Sequence, residues 1–455
     1  MAVVGSDGHQ NGHQNGDANG SDPRIRFIPL SYSSSDSDDS ALRLVLSVRP
    51  GWSEPGSNVE FARFTDGITN TLLKAVNKKP GLSKDEVDKE AILLRAYGNG
   101  TDLIIDRLRE TQNHELLMKH GLAPELLARF DNGMIYRFIQ GAVTQPEDLR
   151  KPSIYKAVAR RLAQWHAVVP CIPGRTGHSR KNSSVGGYAG VADVLGDAEF
   201  QQALDHVAPG KPSPNIWTVM QKWIFALPTD TEEQRARQAQ LQKELTVLVA
   251  ELSQRPGLGQ NGVRSIPAAI HFYRVLTLLA QLVFAHCDLL SGNVIVLPKS
   301  HDTNGDKATE TVTFIDYEYA TPSPAAFDIA NHFAEWGGFD CDFSVLPTRA
   351  QRRDFVAEYV HAYFGMLREK PKELDAAAEI DKLLVEVDVF RGLPGFYWGI
   401  WALIQATISQ IDFDYASYAE TRLGEYWAWR EETSGDREKS GKEMPLRERR
   451  WAQEE

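Results

Sequence analysis

The sequence predicts an α+β protein of two lobes, and three observations carry that prediction. The chain is 455 residues long, enough to build two substantial cores. Strand-like runs gather between about Leu42 and Gln140, whereas helical periodicity dominates after Gly141. A chain that places strands first and helices afterwards builds its sheet in one region and its helix packing in another.

Residues 1–40 contain HQNGHQNGDANGSD and SYSSSDSDDS. These runs are too poor in apolar side chains to offset their ordering entropy, so a disordered tail is expected. The tail has neither the basic start and apolar run of a signal peptide nor the Arg-rich character of a transit peptide, which makes the cytoplasm the expected compartment. Residues 41–140 should form a β-rich lobe. VEFARF before a turn at Asp66-Gly67, then AILLRAY, DLIID and MIYRFI read as strands, with a helical stretch between Asp106 and His120. Gly141 is a natural joint. Residues 141–430 should form the larger, mostly helical lobe. YKAVARRLAQWHAVV carries Val158, Leu162, Trp165 and His166 at helical spacing, EEQRARQAQLQKELTVLVAEL reads as a surface helix, and RTGHSRKNSSVGG as a loop. Residues 431–455 are dominated by charge and read as a second solvated tail.

The net charge of -11 and the lack of a basic patch argue against nucleic acid and anionic membrane as partners. No stable membrane insertion is expected. Cys171, Cys287 and Cys341 are too few and too scattered for a disulfide framework or a zinc site, so three free thiols are expected. The oligomeric state stays open, a homodimer included.

Chemistry concentrates in HCDLLSGNVIVL, residues 286–297. His286-x-Asp288-Leu289-x-x-x-Asn293 has the spacing of a kinase catalytic loop, in which an Asp orients the attacking hydroxyl and an Asn holds magnesium. VIVL and VTFI should form a hairpin that brings Asp316 alongside as a second magnesium ligand. Mg²⁺ usually takes only one or two protein carboxylates, with phosphate oxygens and water completing its shell, so this set is adequate.

DLLSGN at 288–293, IDYEY at 315–319 and FDIANHFAE at 327–335 resemble the choline and ethanolamine kinase family, as do FTDGITN at 64–70, LRAYG at 94–98 and YWGIW at 397–401. The resemblance spans roughly residues 45 to 428. TDGITN and the Gly-Gly-Phe-Asp-Cys-Asp run after Trp336 look more like ethanolamine kinases than choline kinases. The resemblance implies a protein-kinase-like bilobal fold with an N-terminal ATP lobe, and ATP and Mg²⁺ as cofactors. Asp66, Gly67, Thr69 and Asn70 would cover the ATP phosphates, with Arg95 in place of the usual phosphate-binding Lys and Glu110 as its partner. MIYRFIQG would be the hinge beside adenine. Asp288 would be the catalytic base, and Asn293 and Asp316 the metal ligands. A small amino alcohol would bind at Glu335, Trp398 and Trp401, where rings and a carboxylate surround a cation. Phe413, Tyr415 and Tyr418 could add further rings, and Asp340 and Asp342 further charge. Asp328, His332 and His286 read as braces of the catalytic loop. Cys287 stands where protein kinases carry the Arg that answers a phosphorylated activation loop, which implies that this switch is absent. The activity implied is phosphorylation of ethanolamine; the alternatives are a choline or dual-specificity kinase, or a non-catalytic kinase-like binding module, which joint retention of Asp288, Asn293 and Asp316 disfavours.

VRSIPAAIHFYRVLTLLAQ, residues 263–281, does not fit, because the family passes almost directly from a Gly/Asn-rich loop into the strand before His286. Apolar residues on every face leave this stretch no solvent side as a helix. It reads either as a real insertion or as a retained intron: it spans whole codons, Val263 must begin with GT, Gln281 can be CAG, and Leu276-Thr277 can contain CTAAC.

Overall fold

The structure, a computed structural model, describes residues 25–64, 70–98, 100–171, 207, 214–257, 282–299, 310–367, 374–409 and 411–455. The turn at Asp66, Gly67 and Thr69, the RTGHSRKNSSVGG run and residues 263–281 therefore lie outside the described residues.

One six-stranded sheet organises the first lobe in the order β1-β5-β6-β4-β3-β2. Its strands are β1 (Phe27–Ile28), β2 (Val59–Phe64), β3 (Asn70–Asn77), β4 (Ile92–Tyr97), β5 (Leu126–Phe130) and β6 (Gly133–Arg137). Alternation puts Leu73 and Ala75 of β3 and Ile92, Leu94 and Ala96 of β4 on buried positions. Helix α1 (Ser37–Val48) contributes Ala41, Leu44 and Val45 to the same core. Helix α2 (Lys84–Glu90) starts at a capping box, in which Glu86 N–H donates to Ser83 Oγ at 3.3 Å and Ser83 N–H donates to Glu86 Oε2 at 2.8 Å.

Helix α3 (Arg107–Lys119), capped by Asp106, leads from the sheet toward the second lobe. Gly141 lies close against residues 295–296. A Cβ there would lie 2.4 Å from Ile295 Cγ2 and 2.5 Å from the Val296 carbonyl oxygen. Only glycine lets β7 (Ala142–Val143) pair with β9 (Val294–Val296) at this approach. β9 pairs in turn with β10 (Val312–Phe314), the hairpin expected from VIVL and VTFI. β8 (Val283–Ala285) pairs with β11 (Thr321–Ser323), so both ends of the 286–320 region are tied down.

The remaining core is helical. It contains α4 (Pro152–Val168), α5 (Ile216–Phe225), α6 (Glu232–Leu252), α7 (Ala325–Ala334), α8 (Arg349–Met366), α9 (Ala376–Phe390), α10 (Leu393–Ile408) and α11 (Tyr415–Thr433). Val158, Leu162, Trp165 and His166 of α4 are all buried. α6 buries Leu241, Leu245, Leu248 and Leu252 and keeps its charged face outside.

Three expectations are corrected. Part of the expected tail 1–40 is ordered: β1 pairs with β5, and the Ser/Asp-rich run opens α1, where Asp38 and Asp39 in the first turn complement the helix dipole. DLIID is no strand, because Ile104 and Ile105 both donate to the Thr101 carbonyl and turn the chain into α3. Residues 431–455 are not a solvated tail. They form α12 (Asp436–Lys439) and α13 (Leu446–Ala452), and Trp451 is buried with the Arg352 guanidinium 4.0 Å from its ring centroid. Charge-rich composition concealed one aromatic anchor and its cationic partner.

Candidate active site

The 286–293 loop is built from backbone bonds inward. Asp328 of α7 accepts the His286 N–H on Oδ2 at 2.9 Å and the Cys287 N–H on Oδ1 at 2.8 Å. His166 Nε2 lies 2.9 Å from Asp328 Oδ2, and Nδ1 lies 2.7 Å from the Tyr359 hydroxyl. Cys287 is held at φ 63°, a conformation that a non-glycine residue adopts only when its surroundings impose it. His286 Nε2 is 3.0 Å from the Ile315 carbonyl, and His332 Nδ1 is 2.8 Å from the Leu289 carbonyl. Burial depresses both rings to about 4, so they brace the loop as neutral groups. The expectation of a bracing role for Asp328, His332 and His286 matches these contacts.

Inside this frame, Asn293 Nδ2 donates to Asp288 Oδ2 at 3.0 Å and to the Asp288 carbonyl at 2.8 Å. The Asp288 carboxyl is pushed well above the ordinary range by burial, then by the charges of Asp316, Glu335 and Glu318. Asp316, at φ 65°, follows β10. Its carboxylate lies 2.7 Å from Arg95 Nη2, and burial pushes it up to about 6 although Arg95 opposes the rise. Arg95, at the buried end of β4, also meets Glu110 of α3 at 3.3 Å and Glu318. Arg107 joins Glu110 at 2.9 Å and Glu318 at 3.3 Å. Asn70 Nδ2 donates to Glu318 Oε2 at 3.1 Å.

This cluster sets Asp288, Asp316, Glu318 and Glu110 against Arg95 and Arg107, and the excess is negative. That donor set fits a hard divalent cation. Among the described residues no group of three His, Cys, Asp or Glu side chains could hold a metal alone.

The tryptophans sit on the same frame. Trp398 Nε1 donates to Asn331 Oδ1 at 2.8 Å, and Asn331 Nδ2 donates to the Cys287 carbonyl at 3.0 Å. Trp401 Nε1 donates to the Tyr319 hydroxyl at 2.8 Å. The two indoles meet edge to face at 5.4 Å, Tyr319 packs edge-on to Trp398, and Tyr415 to Trp401. Glu335, at the end of α7, is buried and within electrostatic reach of Asp288. It is not a bare carboxylate: Arg422 Nη2 holds its Oε1 at 2.8 Å. Asp340 and Asp342 are exposed, and Asp342 Oδ1 accepts the Ser344 N–H.

The model of the choline/ethanolamine kinase family matches residues 61–427. The chain belongs to the choline/ethanolamine kinase family. It is 32% identical to a probable ethanolamine kinase of Nematostella vectensis over 375 residues, covering 82% of this chain and 88% of that one. It is 30% identical to ethanolamine kinase 1 of Mus musculus over 413 residues, covering 87% and 90%. A solved Plasmodium vivax ethanolamine kinase shares the fold with a TM-score of 0.57 at 23% identity, covering 85% of this chain and 87% of that one.

The family's protein-kinase-like, two-lobed fold explains why residues so distant in sequence converge. Sequence reasoning missed three members of this kinase's cluster: Glu318, Arg107 and Arg422. Glu318 had a signal, because it stands two residues after Asp316 in IDYEY and between two buried tyrosines. Arg107 and Arg422 are charged residues on helices, with nothing in their local pattern to mark the first as half-buried and the second as buried.

Proposed function

We infer that this kinase transfers the γ-phosphoryl group of ATP to the hydroxyl of ethanolamine, giving phosphoethanolamine, the first step of phosphatidylethanolamine synthesis from ethanolamine. One observation carries the reading. Asn331 links Trp398 directly to the backbone of the Asp288 loop, so the wall that would hold an ammonium group is fixed relative to the group that would activate a hydroxyl. The named activities of the Nematostella and mouse relatives point the same way.

In this reading Asp288 orients the hydroxyl and accepts its proton; burial and neighbouring carboxylates raise its affinity for that proton. Bound magnesium supplies charge neutralisation at the transferring phosphoryl group. Asp316 and Asn293 are the residues that would hold it. Arg95, oriented by Glu110, presents its guanidinium beside Asp316 at the phosphate end of the cleft, and Asn70 closes β3 over that end, with Asp66, Gly67 and Thr69 preceding it in the chain. Trp398, Trp401 and Glu335 receive the ammonium group. Three free thiols suit a cytoplasmic setting.

A second reading is choline, alone or beside ethanolamine, and the ring cluster of Trp398, Trp401 and Tyr415 favours it, because a quaternary ammonium depends on rings rather than on acceptors. The test is direct: incubate the purified chain with ATP, Mg²⁺ and each amine separately, and identify the product by ³¹P NMR. A phosphomonoester of ethanolamine is expected. Release of inorganic phosphate alone with either amine would remove the reading.

A further inference from the structure

We propose that the C-terminal helix α13 is a positioning element of the amine site, acting on Glu335 through a buried relay of alternating charges. Glu335 is held by Arg422 at 2.8 Å, and the same guanidinium approaches Glu425 at 3.7 Å. Glu425 is held by Arg447 of α13 at 2.5 Å. Arg447 also donates to Glu448 Oε1 at 2.9 Å, and Glu448 Oε2 receives the Arg391 fork at 2.9 and 2.8 Å. Glu335, Arg422, Glu425, Arg447, Glu448 and Arg391 thus alternate in sign, and all but Arg391 are buried.

A buried ion pair is costly to leave half-made, so each member of such a chain fixes the next. Arg422 stands between two carboxylates and can serve Glu335 fully only while Arg447 serves Glu425. Removing the Arg447 charge leaves Glu425 with Arg422 as its nearest cation in the relay. The guanidinium is then drawn from 3.7 Å toward Glu425 and away from Glu335. The consequence appears at the amine, not at ATP, because Glu335 belongs to the amine side of the cleft.

α13 is anchored well enough for this role. Trp451 Nε1 donates to Asp388 Oδ1 at 2.7 Å, and Arg352 Nη1 donates to the Trp451 carbonyl at 2.9 Å. The N–H groups of Arg349 and Ala350, at the start of α8, donate to the Gln453 and Glu454 carbonyls at 2.8 and 3.0 Å. Gln453 and Glu454 therefore cap a core helix, and α13 is held on the C-terminal side of Arg447.

The inference rests on the assignment of Glu335 to the amine, and the experiment separates the two. Steady-state constants for ethanolamine and for ATP are measured in the unmodified chain, Arg447→Gln, Arg447→Lys, Glu425→Gln/Arg447→Gln and Trp451→Phe, with melting temperatures alongside. Arg447→Gln is expected to raise KM for ethanolamine about tenfold while leaving KM for ATP within about twofold. Arg447→Lys, which keeps the charge, should restore most of the loss. The double variant, which removes both charges, should also return KM toward the unmodified value. Trp451→Phe, which keeps the Arg447 charge, should lower the melting temperature and raise KM for the amine by less than Arg447→Gln does. Equal changes in both Michaelis constants, no rescue in the lysine and double variants, or an unfolded Arg447→Gln whose double variant folds but keeps a high KM would overturn the relay. Inactivity of the unmodified chain on amines overturns the site assignment, and the relay with it.

Discussion

Asp328 holds Cys287 in a left-handed backbone conformation. Its Oδ1 accepts the Cys287 N–H at 2.8 Å while Cys287 sits at φ 63°. The second oxygen serves the His286 N–H and His166, so the carboxylate is filled by three donors. Asp288 is the next residue, and its direction into the cleft follows from that turn.

Asp328→Asn should therefore damage both fold and turnover. The amide offers one acceptor and one donor where the loop presents only donors, and each buried N–H left unpaired costs about 1–3 kcal/mol. The expected result is a lower urea midpoint with an unchanged m-value and a reduced kcat, with KM for ATP less affected. An unchanged midpoint would show that the loop holds its shape without this carboxylate.

Asp288→Asn should leave the fold and ATP affinity intact and lower kcat by roughly 10²- to 10⁴-fold, the usual contribution of a positioned general base. Titration of a fluorescent nucleotide checks binding, and stopped-time product assays check turnover. Turnover near that of the unmodified protein, at equal thermal stability, would move the proton-accepting role elsewhere.

Asp316→Ala should abolish activity at ordinary magnesium, since Asn293 offers only a neutral oxygen to a strongly hydrated ion. It also strips Arg95 of one of its three carboxylate partners. Partial recovery at high Mn²⁺ is the expected signature of a lost metal ligand. A magnesium dependence identical to that of the unmodified protein would exclude Asp316 from that role.

Gly141→Ala tests the close approach of β7 to β9. With backbone and side-chain atoms 2.4–2.5 Å from the added carbon, β7 must move off β9, at a cost of about 1–3 kcal/mol. Denaturant unfolding should register the loss. A variant as stable as the parent would show that β7 can shift off β9 at no cost.

Periodicity made much of this legible in advance, and burial decided what it could not. α4, α6, the β9–β10 hairpin and the strands VEFARF and AILLRAY carry their spacing openly, and each forms where that spacing places it. HxDxxxxN and the Asp that follows β10 drew attention to Asp288, Asn293 and Asp316 through local spacing, and the fold brings Asp288 and Asn293 into contact. The errors came where tertiary partners override composition. SYSSSDSDDS resembles a tail, yet its serines bond to one another across the turn into α1, as Ser33 N–H does to Ser40 Oγ at 3.0 Å. The run RERRW reads as solvated charge until Arg391, Glu425 and Arg352 are placed around it. Glu335 lies in the FDIANHFAE run, but its partner Arg422, 87 residues away in sequence, had no local signal.

Recognition of a primary ammonium is proposed at Glu335, Trp398 and Trp401, beside the Asp288 loop. The most direct measurement is kcat/KM for ethanolamine and for choline in the same preparation at saturating ATP and Mg²⁺. The account predicts a preference for ethanolamine of at least about tenfold, equivalent to roughly 1.4 kcal/mol in transition-state binding, and an equal or higher value for choline would contradict it.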